Sequence, residues 1–325
     1  MNRVKLAASV LGAAAAGFYT YIRLFEKRSF ASWGVEKLMA SMKKVPQTEE
    51  ALTAYLDQRQ QVSDLPYPNP QKLVRSQVEE IDVDGMQTFV WNHQHDRHQK
   101  VILYIHGGGY TDQPLSFQIK AVDRIARLTN AKIVLPIYPK TPRYTYKDAF
   151  PKMERLYAQV CQEMADPSSD LTLMGDSAGG GLALGLAYAL RDRQMPQPKH
   201  IILLSPWMDL TLDHPEIAQR EALDPMLAAY PLQKVGPYWA DGPEGVRHPF
   251  VSPMFGNPTG LGRITLFSGT HEIFYPDILK FDQLLSDRDI EHTTIIGEKM
   301  NHVYPVFPIP EGRKAQQQIA EIING

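Results

Sequence analysis

Six short stretches limit the fold more than anything else in this chain: "VILYI" (101–105), "AKIVLPIY" (131–138), "LTLMG" (171–175), "IILLS" (201–205), "ITLFSG" (264–269) and "TTIIG" (293–297). Each is a largely continuous apolar run rather than an alternating one, the pattern of strands buried on both faces. Helical spacing recurs between them, over 117–129, 146–165, 178–192, 276–288 and 312–323. A repeated strand-helix order predicts an α/β fold, a mostly parallel, doubly wound sheet flanked by helices. Upstream, "VEEIDVDGMQTFVWN" (78–92) reads as a hairpin about Asp84-Gly85, a dipeptide suited to the positive φ of a tight turn. With 325 residues, 43% of them hydrophobic, the chain can bury the core of one large α/β domain.

Charge and cysteine content exclude several classes of function. A formal net charge of -2 makes no field that gathers nucleic acid. The single cysteine, Cys161, forms no internal disulfide, and no Cys/His cluster has zinc spacing. His93, His95 and His98 in "NHQHDRHQ" are expected to be solvated rather than metal ligands. No metal and no organic cofactor is expected.

The first residues differ from the rest. "LAASVLGAAAAGFYTYI" (6–22) carries no charge and is flanked by Arg3 and Lys5 and by Arg23, Lys27 and Arg28. As a helix it would span about 25 Å, slightly short of a bilayer core. Residues 1–28 therefore read as an apolar segment, and the expectation is membrane association through 6–22 as an N-terminal anchor. A cleaved signal or a docking helix are the alternatives, which would leave the chain cytoplasmic or secreted. Residues 29–74 read as two helices and a proline-rich linker, and 75–325 as the α/β domain. Between "IILLSPW" and "RITLFSG", about 208–262, no strand pattern occurs. Structureless loops of that length are uncommon, so helices forming a cap are expected there, joined by those of 29–74.

The chemistry concentrates at the ends of the predicted strands. Gly175-Asp176-Ser177-Ala178-Gly179 matches G-x-S-x-G directly after "LTLMG" and directly before a helix. A sharp strand-to-helix turn exposes Ser177 at the top of the sheet and at a helix N-terminus. A serine nucleophile needs oxyanion donors and a base. "YIHGGGY" supplies an HGGG-type loop after the strand "VILYI", so Gly107 and Gly108, with Ala178, are the expected donors. His302, in the loop after the last predicted strand, is the expected base. The acid should follow "ITLFSG", where Glu272 lies in the loop and Asp277 at the start of the next helix. Glu272 is favoured because an acid at a helix N-terminus is accounted for by the dipole, and Asp277 is kept as the alternative.

In order, "HGGGY", "GDSAGGGLAL", "LLSPWMDLT", "DPML", "VSPMFG", "GTHEI" and "NHVYPVFP" resemble the hormone-sensitive-lipase-like esterases of the α/β-hydrolase fold, from about residue 75 to the C-terminus. The resemblance implies Ser177 as nucleophile, Glu272 as acid, His302 as base, Gly107, Gly108 and Ala178 as oxyanion donors, a helical cap, and a small-molecule ester substrate with a short or medium acyl chain. The chain departs from it in two places: much of the family has Asp in a D-x-L motif where this chain has Glu272-Ile273-Phe274, and the leading apolar segment is not part of the shared fold. Amide hydrolysis, acyl transfer, and ligand binding without catalysis are the alternatives the same residues leave open.

Overall fold

The computed structural model describes residue 17 and residues 19–325. Most of the apolar segment 6–22 lies outside the described residues, and the anchor expectation with it. Among the described residues no helix is long and apolar enough to cross a membrane.

Two helices come first, α1 (Phe30–Met42) and α2 (Glu49–Ser63), each begun by a hydroxyl cap: Ser29 accepts from the Ser32 N–H and Thr48 from the Ala51 N–H. Eight strands follow: β1 (Val78–Val83), β2 (Met86–Trp91), β3 (Val101–Ile105), β4 (Lys132–Pro136), β5 (Leu171–Asp176), β6 (His200–Leu204), β7 (Arg263–His271) and β8 (His292–Asn301). They form one sheet in the order β1-β2-β4-β3-β5-β6-β7-β8. β1 and β2 are the expected hairpin, with Asp84 and Gly85 both at positive φ, and β2 is also antiparallel to β4. All other pairings are parallel. The large helices between the strands are α3 (Ser116–Thr129), α4 (Tyr146–Glu163), α5 (Ala178–Asp192), then α6 (Ile217–Glu221) and α7 (Ala229–Trp239) in the long insertion, then α8 (Tyr275–Asp287) and α9 (Pro310–Asn324).

The continuous apolar runs are explained by the two helical layers. In β3, Val101, Leu103 and Ile105 pack in the core shared with Leu156 of α4, Leu182 of α5 and Phe281 of α8. Ile102 and Tyr104 point the other way, to Ile119 and Val122 of α3 and Ile319 of α9. Each such side chain removed from water contributes about 1.5–3 kcal/mol, and a polar residue on either face would forfeit it. The insertion is tied to the N-terminal helices: Leu52 and Leu56 of α2 pack with Val235 of α7, and Lys234 pairs with Glu49 at 3.2 Å.

Parallel pairing has a functional consequence. β3, β5, β6, β7 and β8 all run in one direction, so the loops after them emerge at one edge of the sheet. His106, Ser177, Ser205, Glu272 and His302 each lie one residue beyond the end of one of these strands.

Candidate active site

Ser177 occupies the turn between β5 and α5 with φ 54° and ψ −124°, a backbone conformation that costs on the order of 1–3 kcal/mol and is held by its surroundings. Those surroundings are visible. The Ser177 N–H donates to the Leu204 carbonyl at 2.9 Å, and the Ser177 carbonyl accepts from Trp207 at 2.9 Å as well as from Gly180 and Gly181. The turn is so tight that a Cβ on Gly179 would lie 2.1 Å from the Ile105 carbonyl oxygen.

The serine hydroxyl meets His302. Ser177 Oγ lies 2.9 Å from His302 Nε2, and His302 Nδ1 lies 2.6 Å from Glu272 Oε2. All three residues are buried. The ring of Phe274 stands edge-on to His302 at 5.2 Å. Glu272 has no exposed surface, and its other oxygen, Oε1, accepts from Ser205 Oγ at 2.9 Å, Ser268 Oγ at 2.5 Å and the Gly269 N–H at 2.8 Å. Three donors fix one oxygen so that the second faces the imidazole. Ser205 also accepts from the Val303 N–H at 2.9 Å, linking the acid's loop to the histidine's.

Asp277 is elsewhere. It sits in the first turn of α8, buried, with Oδ2 lacking any hydrogen-bond partner. Burial, with the neighbouring Asp209 charge, pushes its carboxyl up to about 7. Of the two candidate acids, Glu272 is the one brought to the histidine.

The HGGG loop folds against the serine, and Asp176 sets its shape. The Asp176 carboxylate accepts from Tyr104 Oη at 2.5 Å, the Gly107 N–H at 2.9 Å and Gln118 Nε2 at 2.8 Å. Burial raises its pKa, and these donors together with the nearby His302 oppose the rise. The Gly107 N–H is therefore committed to Asp176, which corrects the expectation that it faces the oxyanion. The N–H groups of Gly108 and Ala178 have no partner among the described residues. Gly108 has φ +130°, and a Cβ there would lie 2.9 Å from that of Asp112. His106 is fully buried, stacked on Tyr138, and held neutral by burial and the Lys140 charge. Its Nδ1 lies 2.7 Å from the Gly107 carbonyl, whose peptide carries the Gly108 N–H.

The long insertion reaches the site through Asp224. Its carboxylate accepts from the Met226 and Leu227 N–H groups and from the N–H of Ile273, the residue after Glu272. Among the aromatic residues of the long insertion, Trp239 is buried and stacks on Tyr110 at 4.3 Å, and Tyr110 contacts Trp207. Tyr238 is exposed, while Tyr230 and Phe255 meet Lys234 and Arg247. Glu79 joins His93 and His95 at the far end of the sheet, with His98 exposed beside them.

A family described as the alpha/beta hydrolase fold matches residues 102–306. The chain belongs to the α/β-hydrolase fold family. A Mycobacterium tuberculosis protein named as an acetyl-hydrolase is 30% identical to this hydrolase over 69% of the chain and 72% of the relative. A Streptomyces hygroscopicus acetyl-hydrolase is 28% identical over 66% and 72% of the two chains. A Staphylococcus aureus crystal structure described as an esterase superposes with a TM-score of 0.81 at 31% identity, covering 86% of this hydrolase and 95% of that chain. The resemblance to hormone-sensitive-lipase-like esterases is thereby borne out, and the protein is a carboxylesterase-like hydrolase.

The place of Glu272 beside His302 was legible from its distance past the strand, whereas the hydrogen bonds made by Ser205, Ser268, Asp176 and Asp224 were not. Asp176 stood inside the G-x-S-x-G pentapeptide and Asp224 inside "DPML", but nothing local marks the serines.

Proposed function

We propose that the hydrolase cleaves carboxylic esters of short to medium acyl chain through a Ser177–His302–Glu272 triad. The observation that carries this reading is the continuous hydrogen-bonded line from Ser177 Oγ through the His302 ring to Glu272. His302 Nε2 takes the hydroxyl proton as Oγ attacks the ester carbonyl, and Glu272 keeps Nδ1 protonated and stabilises the imidazolium. Gly108 and Ala178 donate to the oxyanion, at the positive end of α5, while Gly107 braces the loop through Asp176. The alcohol leaves with the proton from His302; water activated by the same nitrogen then releases the acid and restores Ser177. The helices of 29–74 and of 208–262 act as one cap that bounds the acyl site, with Trp239 and Tyr110 as its packed aromatic wall. The acetyl-hydrolase names of two relatives favour short acyl groups.

Nitrophenyl esters of graded chain length test the reading. Turnover is expected to be greatest from acetyl to about hexanoyl, and Ser177→Ala to lower kcat by about 10⁴–10⁶ with the fold intact. Hydrolysis surviving in that variant refutes the mechanism.

The N-terminal segment brings this enzyme to a membrane. What supports the proposal is that Leu24 and Phe25, directly after the apolar residues 6–22, are exposed, as are Leu38 and Met42 of α1. The full chain should sediment with membranes and a chain lacking residues 1–28 should not; a full chain that stays in the supernatant overturns it.

A further inference from the structure

Away from the catalytic edge, α3, α9 and the loop before β1 enclose a cleft of about 420 Å³ lined by Arg75, Lys120, Arg124, Arg127 and Arg313, with no carboxylate in its wall. Such a concentration is out of keeping with a chain of net charge -2. Its guanidinium groups are also unlike the others. Ten arginines with described side chains pair with an Asp or Glu, and Arg97 and Arg288 donate to oxygen atoms of neighbouring residues. Arg75, Arg124 and Arg313 do neither, and all three face this one cleft. Arg124 Nε is moreover buried without a partner. Arg127 alone is answered, by Asp123 at 3.0 Å. Glu311, beside Arg313 in sequence, is engaged by the Ser29 N–H and hydroxyl.

Uncompensated like charges held at one cleft repel, and forked donors without acceptors are suited to the oxygens of a phosphate. Phe117, stacked on Phe307 at 4.7 Å, adds an apolar wall beside them. We infer that the cleft between α3 and α9 is a binding site for a phosphate-bearing anion, distinct from the ester site. The phosphate belongs either to a free phosphorylated small molecule or to an anionic lipid headgroup, since both present the same oxygens. Two neighbours of the cleft lead toward the catalytic edge: Gln118, next to the lining Phe117 in α3, holds Asp176, and Val306 in the wall follows His302 by one short turn.

The experiment has two arms on the full chain. In the first, pyrophosphate and ATP are titrated calorimetrically at low salt. In the second, co-sedimentation is compared between vesicles of phosphatidylcholine alone and vesicles containing phosphatidylglycerol, and the phosphatidylglycerol-dependent increment is read. Saturable binding in the first arm identifies a free phosphate compound, and an increment in the second identifies a headgroup. In whichever arm responds, Arg124→Gln with Arg313→Gln should weaken binding by about tenfold or more, corresponding to the loss of two charged contacts. Arg263→Gln, a change at the distant start of β7, should leave it unchanged. If the double variant fails to fold, Arg75→Gln with Lys120→Gln makes the same measurement. No response in either arm, or equal binding by the double variant, overturns the inference.

Discussion

Two carboxylates stand five positions apart after the same strand, and both are buried, yet their surroundings are opposite. Glu272 lies among donors: two serine hydroxyls and a backbone N–H on one oxygen and the His302 ring on the other. Asp277 lies among acids, with Asp209 as its strongest charged neighbour and one oxygen bonded to nothing. Removing a carboxylate from water costs several kcal/mol in either place, so burial alone says nothing about role. The donors decide it. A ring of N–H and O–H groups stabilises the ionised form and aims it, whereas an acidic neighbourhood retains the proton and leaves the carboxyl nothing to orient.

Substitutions test the contrast, beginning with the largest effect. Glu272→Gln should lower kcat by about 10³–10⁴, since the amide cannot stabilise the imidazolium and disturbs the tautomer, with KM little changed. An equal or greater loss from Asp277→Asn would reverse the two assignments. Ser205→Ala combined with Ser268→Ala should lower kcat about 10- to 100-fold, as Glu272 loses two of the three donors on Oε1. The measurement is steady-state hydrolysis with kcat and KM read separately.

Asp277 makes its own contribution visible in stability. Its carboxyl is raised from 3.8 to about 7 in the folded chain, so the folded state holds this proton more tightly than the unfolded one. The resulting stabilisation is complete below about pH 4 and is lost as pH rises through 7, a difference on the order of 4 kcal/mol. Asp277→Asn should abolish that slope, so that the variant exceeds the parent in urea midpoint at pH 8 and loses the advantage at pH 4. A parent whose midpoint rises between pH 4 and 7 relative to the variant contradicts it. The smallest effect expected is on turnover: Asp277→Asn should stay within about twofold of the parent, since the side chain does not reach His302.

The fold was legible because its central strands β3, β4, β5 and β6 are buried on both faces. Runs such as "VILYI" and "LTLMG" coincide with β3 and β5 to within a residue, as short continuous apolar runs suit strands covered by helices on both faces. β7 and β8 extend beyond their apolar runs to His271 and Asn301, where the two strands pair with each other past a register shift after Gly269. α1 starts at Phe30, ahead of its helical spacing, because the Ser29 cap and not the apolar stripe sets its first turn. Within the site, glycine and proximity to a strand end marked Ser177, His302, Glu272 and the HGGG loop. The engagement of the Gly107 N–H was not legible, since it depends on which way one aspartate side chain turns across two strands. The basic cleft was equally hidden: Arg75, Arg124 and Arg313 are far apart in the chain, and only folding brings them to one cleft with no carboxylate in its wall.

Asp176 joins three parts of the molecule through one carboxylate: Tyr104 at the heart of β3, Gly107 in the loop above it, and Gln118 near the start of α3. A joint of this kind does not loosen in stages. On heating, the hydrolase should keep full turnover until the domain itself melts, so inactivation and unfolding should trace a single curve.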